Sequence, residues 1–496
     1  MLASLGNLLV LVVGVPLGIV IGAIPGLGPA MIIAIAVPLT YSISPLTAIV
    51  LLLGIYVGGI YGGSITAILI NTPGTPAAAA TVLDGYPLAQ QGKSGKALNM
   101  ALKSSVIGNV VSILILMFSA FPLAGLALRF GAPEKFSLLL FSLTIIGGVS
   151  GPSLNKGLVA ASFGLLLATI GLDPISGAMR LTFDSVNLQG GVQLLPMLIG
   201  LFAVPEIITQ AERILGQKKE VISAVPPPKK PSDAKMTWRE FLPYSWSVLR
   251  SSLIGSFIGA MPGIGPAVAS FMAYGAAQRK SKERKLFGKG SLEGVSAAEA
   301  GNNAVCGAAL IPLLTLSIPG DPATAVLLGA LMIHDLTPGP LLFQQQSATV
   351  SAIFLALLVS CVLLYFFGKL VIKFSGRLTH VPSYYLFPVV SVLCVIGAYA
   401  MQNELFDVWW MLGSGVLGYI MRRFRFPAAP LLIAFLLGGM IENSLRQALL
   451  MSQEGWLIFL TRPLSAGFLA LTLVAIVAIA LSRRREALSR RTTANA

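Results

Sequence analysis

Asn302 and Asn303, with Glu299 one helical turn earlier, stand in a run otherwise made of Ala, Gly and Val. Asp321 follows inside Ser317-Ile-Pro-Gly-Asp-Pro322, and Asn71-Thr-Pro-Gly-Thr-Pro76 is the matching peptide of the first half. An ionisable side chain in an apolar setting is costly, so by default it signals function. Asp321 suits cation coordination or proton carriage; it could equally cap a loop at a wet hairpin tip. Glu299 is a second ion-coupling candidate, although a headgroup-level charge just past the basic loop is its plainer reading. His334 and Asp335 read as a solvated pair at the outer interface. Arg250 is either an anion counter-charge or a snorkelling residue, with snorkelling slightly favoured.

These residues lie near breaks in apolar helices. GAIPGLGPA at Gly22–Ala30 returns as GAMPGIGPA at Gly259–Ala267, half a chain away. Pro and Gly cost a helix backbone hydrogen bonds that lipid does not replace, so such breaks must be buried in protein or line a watery cavity. At a break, free N–H groups at one helix end cradle an anion, and free carbonyls with nearby Thr, Ser and Asn oxygens suit Na⁺ or H⁺. A single break would be read as a packing kink. Two duplicated pairs point to a transporter's substrate site. The substrate-binding candidates are therefore Pro25, Gly26, Gly28, Asn71, Thr72, Pro73, Gly74 and Thr75 in the first half. In the second they are Pro262, Gly263, Gly265, Asn302, Asn303, Ser317, Pro319 and Gly320. Asp321 and Glu299 are the ion-coupling candidates, with a sodium position conceivable near Asn71, Asn303 and Asp321.

The elements that must hold these residues are membrane helices. The chain has 496 residues, 55% hydrophobic and 11% charged, with mean hydropathy +0.84. Soluble proteins carry about 25% charged residues, so an all-α integral membrane protein is expected. Met1–Val20 lacks a basic region and reads as a retained apolar stretch rather than a cleaved signal. Cys306, Cys361 and Cys394 are scattered and offer neither a disulfide framework nor metal-ligand spacing. The net charge of +15 sits in short clusters between apolar runs, as cytoplasmic loops require, and argues against a nucleic-acid partner. Without a P-loop, HExxH or nucleotide fingerprint, no cofactor is expected, and energy must come from an ion gradient or another chain.

Charge placement orients the spans. Basic residues flank Phe241–Gln278 on both sides, yet the stretch is about twice the roughly 20 residues of one crossing. It reads as a re-entrant hairpin with Pro262–Pro266 at its tip. Thr40–Thr47, after the matching first-half hairpin, carries no charge and reads as an outside loop. Matching positions with opposite charge signatures imply an inverted repeat. The expected order is a first membrane repeat over 1–211, then a cytoplasmic, basic, Pro-rich linker over 212–240. A second repeat over 241–449 follows, and an extra span with a basic tail over 450–496. Further spans are Leu98–Leu128, Phe136–Gly151, Gly157–Gly171, Leu194–Ala211, Val350–Phe367, Trp409–Met421, Pro427–Gly439 and Leu464–Leu481. Gly54-x-x-x-Gly58 and Gly59-x-x-x-Gly63 supply a small-residue face for close packing.

The run GIYVGGIYGGSITAILINTPGTPAAAATVLDGYPLAQQGKSGKAL (Gly54–Leu98), the paired PGLGP and PGIGP, and Phe287–Phe343 resemble the large permease subunit of tripartite tricarboxylate transporters. The likeness covers essentially the whole chain. It implies a bacterial inner-membrane secondary transporter importing tricarboxylates such as citrate, or related carboxylates, with Na⁺ or H⁺ as coupling ion. It also implies a small membrane subunit and a periplasmic substrate-binding protein as partners. Such permeases are likened to elevators, the duplicated breaks forming the mobile unit. Spans such as Phe136–Gly151 and Trp409–Met421 would form the scaffold. The chain departs from the pattern at Ala298-Glu299-Ala300-Gly301, where Pro-Glu-Ser is usual, and at Asp321, where a small neutral residue is usual. These departures argue against citrate and leave carboxylates as a class. A stand-alone carboxylate carrier or exporter is the alternative; an intramembrane enzyme lacks an evident nucleophile–base pair.

Overall fold

Long apolar runs punctuated by Pro and Gly leave the backbone little choice but short and long helices, since each helix satisfies its own polar groups. The computed structural model describes residues 5–24, 26–149, 153–173, 176–215, 233, 235–378, 383–399, 403–453 and 455–477. In chain order the helices are α1 (Leu5–Gly22), α2 (Pro29–Ala36), α3 (Pro45–Ile70), α4 (Ala79–Gln90) and α5 (Ser94–Ala127). Next come α6 (Ala132–Val149), α7 (Leu154–Ala168), α8 (Leu194–Leu215), α9 (Trp238–Phe241) and α10 (Ser245–Gly259). Then follow α11 (Gly265–Lys280), α12 (Leu292–Leu316), α13 (Pro322–Ile333), α14 (Pro340–Gln345) and α15 (Ser347–Leu378). The last are α16 (Ser383–Tyr399), α17 (Leu405–Arg423), α18 (Ala428–Met451), α19 (Ile458–Thr461) and α20 (Pro463–Val477).

Among the described residues, five helices are long and apolar enough to cross a membrane: Pro45–Ile70, Ser94–Ala127, Leu194–Glu212, Ser347–Phe374 and Ala428–Met451. The protein is an all-α membrane protein. Pro25 and most of the expected linker 212–240 lie outside the described residues, as does the basic tail beyond 477.

The chain forms two compact units. One comprises Met1–Gly125 and Gln193–Arg422, and so draws on both halves of the sequence. The other comprises Leu126–Val192 and Arg423–Ala496. In this second unit, α18 packs on α6 and α7, and a two-residue hairpin pairs Gly171–Leu172 with Met179–Arg180. Asp173, Arg180, Glu442 and Arg446 tie that hairpin to α18, with Arg446–Asp173 at 2.8 Å and Arg180–Glu442 at 2.6 Å.

The first unit is built on close helix approach. Gly14, Gly18 and Gly22 of α1 recur every four residues and lie against Leu51, Ile55 and Gly59 of α3. Gly54, Gly58 and Gly62 of α3 face back onto Leu11, Val15 and Ile19. A Cβ at most of these positions would strike main chain, so the helices pack backbone to backbone, as small-residue stripes permit. Of the two small-residue spacings expected on α3, the Gly54/Gly58 pair meets α1. Gly63 instead meets Thr75, and Gly59 meets Pro29. The pairs advance together along both helices, so α1 and α3 run parallel. The second half repeats this: Gly255 of α10 meets Gly301 and Ala304 of α12, and Gly259 meets Val305 and Ala308.

Candidate functional site

The two helix breaks of the first unit have the same backbone. α3 ends at Asn71 (φ 59°, ψ 17°) and α12 ends at Ser317 (φ 60°, ψ 27°), both left-handed C-caps. A non-glycine residue held there is uncommon outside turns and caps, and it reverses the chain sharply. Both chains then restart in extended conformation, at Thr75 and Asp321, with Pro76 and Pro322 opening the next helical turn.

The glycine of each break is fixed by the same kind of contact. A Cβ on Gly74 would meet Gly22 carbonyl oxygen and the Cα of Gly63 at 2.7 Å. One on Gly320 would meet Ala309 at 2.8 Å and Gly259 carbonyl oxygen at 2.9 Å. Gly22 and Gly259 open the two copies of the duplicated peptide and end α1 and α10, so each break rests against the tip of its own preceding hairpin. Main-chain bonds close the arrangement: Gly74 N–H to Gly63 carbonyl at 3.1 Å, and Gly263 N–H to Gly320 carbonyl at 2.8 Å. Gly26 (φ 94°) and Gly263 (φ 82°) take corresponding left-handed positions at the two tips, where glycine alone is unstrained.

Glu299 lies in the protein interior and not on its surface. It is fully buried on α12 and collects donors from three sides. Thr81 of α4 donates to Oε1, Ser105 of α5 donates to Oε2 at 3.0 Å, and Asn303 Nδ2 lies 3.3 Å from Oε2. Asn303 Nδ2 also reaches Ser105 Oγ at 2.9 Å, and Asn109 Nδ2 donates to Asn303 Oδ1 at 3.3 Å. The network continues one turn on, where Ser112 Oγ accepts Gly307 N–H at 3.2 Å. Asn109 Oδ1 and both amide atoms of Asn302 are buried without a partner among the described residues. Neither Glu299 nor Asp321 has an ion-pair partner among the described residues. A buried carboxylate without a counter-charge must take up a proton or a cation, or be fully met by donors.

Asp321 is a helix cap, as one reading of the sequence has it, yet it is 1% exposed and not at a wet tip. Its Oδ1 accepts Thr324 N–H at 2.7 Å and Thr324 hydroxyl at 2.8 Å, and Tyr56 of α3 donates to Oδ2 at 3.0 Å. Thr324 Oγ1 accepts Asp321 N–H at 2.8 Å, completing a capping box.

The candidates thus fall into groups. Glu299 and Asn303 are joined; Gly263 and Gly320 are joined; Gly74 and Thr75 meet Gly63 of α3. No hydrogen bond among the described residues links Asn71, which is exposed, to Asn303 or Asp321. Thr72, Pro73, Gly28 and Pro262 are half-buried, while Pro319 is buried beside Gly320 and Gly265 opens α11. Ser317 Oγ turns to Pro338 carbonyl at 2.6 Å. His334 departs from the solvated reading: it is buried, with Nε2 2.8 Å from Thr40 Oγ1, whereas Asp335 is exposed. Arg250 is half-buried and reaches Ser247 of its own helix at 3.4 Å.

Sequence reasoning missed Thr81, Ser105, Asn109 and Tyr56. Ser105, Asn109 and Ser112 recur at helical spacing in an otherwise apolar helix, a stripe that marks a polar face inside α5. Tyr56 and Thr81 carried no comparable signal. Glu206 of α8 was missed as well. It is buried against Gly26, accepts Gln210 Nε2 at 2.8 Å and pairs with Arg422. Asp84 was another. Its Oδ1 accepts the N–H groups of Gly288, Gly290 and Ser291 at 2.8–2.9 Å, and Tyr274 donates to Oδ2 at 2.9 Å.

The two duplicated breaks and the buried carboxyls Glu299 and Asp321 all lie within the first unit. A 52.8 kDa protein in the TAR-I ttuC' 3' region of Agrobacterium vitis is 36% identical over 469 residues, 94% of this chain and 91% of that protein. A protein in the TAR-II ttuC' 3' region of the same organism is 36% identical over 223 residues, 45% of this chain and 92% of that protein. Residues 8–433 match the sequence profile of the tripartite tricarboxylate transporter TctA family. The chain belongs to that family, the membrane permeases of tripartite tricarboxylate transporters.

Proposed function

We propose that the chain imports small organic carboxylates across the bacterial inner membrane, driven by an ion gradient and supplied by a periplasmic binding protein with a small membrane subunit alongside. The observation that carries the reading is the pair of backbone-matched breaks, Asn71–Pro76 and Ser317–Pro322. At the first break the buried hydroxyls of Thr66 and Thr75 are unpaired among the described residues and can donate to a carboxylate. The substrate is held between the two breaks, with the tips Gly26–Gly28 and Pro262–Gly265 closing on it.

Glu299 is the ion-coupling group. Hydroxyl and amide oxygens around one carboxylate suit a single positive charge, Na⁺ or H⁺, and leave a divalent ion undercompensated. α12, which carries Glu299, ends in the second break, so occupancy of the one position bears on the shape of the other. The two halves act as inverted repeats, and the breaks travel together as the moving part of an elevator.

Uptake of a radiolabelled carboxylate into proteoliposomes tests this. It is run with and without a Na⁺ or pH gradient, and with and without the binding protein and small subunit. Uptake that needs both the gradient and the binding protein bears the reading out. Uptake by the permease alone replaces it with a stand-alone carrier, and absence of uptake for every acid removes it.

A further inference from the structure

We propose that Asp321 sets the charge of the substrate: the protein's own carboxylate fills the anion-accepting helix start of the second break, so the transported acid brings at most two carboxylates. The inference rests on the carboxylate reading above. It starts from the match between the breaks. Position for position, Thr75 in the first break stands where Asp321 stands in the second, each followed by a proline that has no N–H to offer. The N–H groups after that proline are what an arriving anion would take.

In the second break those donors are already engaged. Thr324 N–H, Thr324 hydroxyl and Tyr56 hydroxyl all point at Asp321. Of these, Thr324 N–H can only donate and the two hydroxyls are free to donate, which suits an ionised acceptor. Tyr56 comes from the first half, so the filled position is clamped by both halves. In the first break Ala78 N–H, the counterpart of Thr324 N–H, bonds Thr75 carbonyl at 3.0 Å, and the groups left open are side chains. Thr75 makes no cap hydrogen bond, and its Oγ1 is buried without a partner among the described residues. Thr66 Oγ1, beside Gly74, is likewise buried and unpaired. A substrate carboxylate therefore anchors at the first break, and further negative charge directed at the second meets Asp321. Like charges several ångströms apart in a partly desolvated site disfavour each added carboxylate by roughly tenfold or more.

The test is a charge ladder of similar acids, butyrate, succinate and tricarballylate, titrated calorimetrically into the purified permease at neutral pH. Wild type should bind succinate at least about tenfold more tightly than tricarballylate, and Asp321→Thr should raise tricarballylate affinity selectively by a similar factor. Tyr56→Phe keeps the Thr324 contacts and should preserve the wild-type order. Tricarballylate binding to wild type as tightly as succinate overturns the proposal without needing any variant to fold. An Asp321→Thr change that shifts all three acids equally also overturns it. Failure of all three acids to bind removes the carboxylate reading itself, an outcome distinct from a reversed ladder.

Discussion

Asp84 and Glu299 are two buried carboxyls of the same unit, one on α4 and one on α12, and they are held in opposite ways. Asp84 is met by three main-chain N–H groups of the segment before α12 and by one phenol. Main-chain donors cannot turn away, so this carboxylate is a fixed staple between α4 and the second half. Glu299 is met only by side chains, the hydroxyls of Thr81 and Ser105 and the amide of Asn303. Hydroxyls rotate and can accept as easily as donate. The same ring that satisfies a carboxylate can therefore satisfy a carboxylic acid, or turn its oxygens to a cation. Equal burial thus comes with two kinds of donor, one fixed and one able to rotate. Thr81 and Asp84 lie one turn apart on α4, so the staple holds in place the helix that carries one of the donors to Glu299.

The largest effect should come from Glu299→Gln. Gradient-driven uptake should fall roughly ten- to hundredfold, the scale of losing a contact to a charged group of about 1.5–3 kcal/mol. The melting temperature in detergent should stay near wild type. A large loss of thermal stability with coupling retained would make Glu299 a second staple and end the contrast.

Asp84→Ala should do the opposite. Stranding three N–H groups should lower stability by about 3 kcal/mol, read as a drop in melting temperature, while uptake per folded molecule keeps its ion dependence. A changed ion dependence would show that the staple takes part in coupling. Tyr274→Phe removes one donor and leaves the main-chain contacts, so a loss of about 1 kcal/mol is expected. A cost as large as that of Asp84→Ala would mean that the phenol, and not the backbone, holds the carboxylate.

The smallest effect concerns Glu240, a surface carboxylate that sets the baseline for both. Its carboxyl is held down at about 2, first by Thr237 N–H and then by Lys96. A depressed carboxylate stabilises the fold above the ordinary value of 4.5, and that contribution is lost as pH falls toward 2. Being exposed, the pair is screened by salt. A melting curve of Glu240→Gln should converge on wild type as pH drops from 5 to 2, and less difference should be seen in high salt. A difference that persists at pH 2 would assign the effect to packing of α9.

Much of the fold was legible because lipid-compatible chemistry is restrictive. Apolar length and loop charge place α5 within a few residues, as Leu98–Leu128 against Ser94–Ala127, whereas the expected Val350–Phe367 stops short of the end of α15 at Leu378. The duplicated peptides stood out because a helix break in such sequence is costly. Other features left no local trace. The glycine stripe of α1 is visible at positions 14, 18 and 22, yet only the facing helix gives it meaning. Glu299 reads from sequence as a charge near a basic loop, because α12 begins at Leu292 and its neighbours' depth is not written in its own residues. His334 was misread for the same reason: its partner, Thr40, is 294 positions away.

The sequence by itself determined that this is a helical membrane protein with two matched helix breaks. Backbone hydrogen bonding in an apolar setting depends on residues close together in the chain. The tertiary structure decided which buried carboxyl is met by main-chain N–H groups, which by hydroxyls and an amide, and which caps a helix. Those roles rest on donors brought from distant helices: Tyr56 to Asp321, Thr81 and Ser105 to Glu299, and the 288–291 segment to Asp84. Desolvation and donor geometry are properties of the packed bundle, and no single stretch of chain carries them.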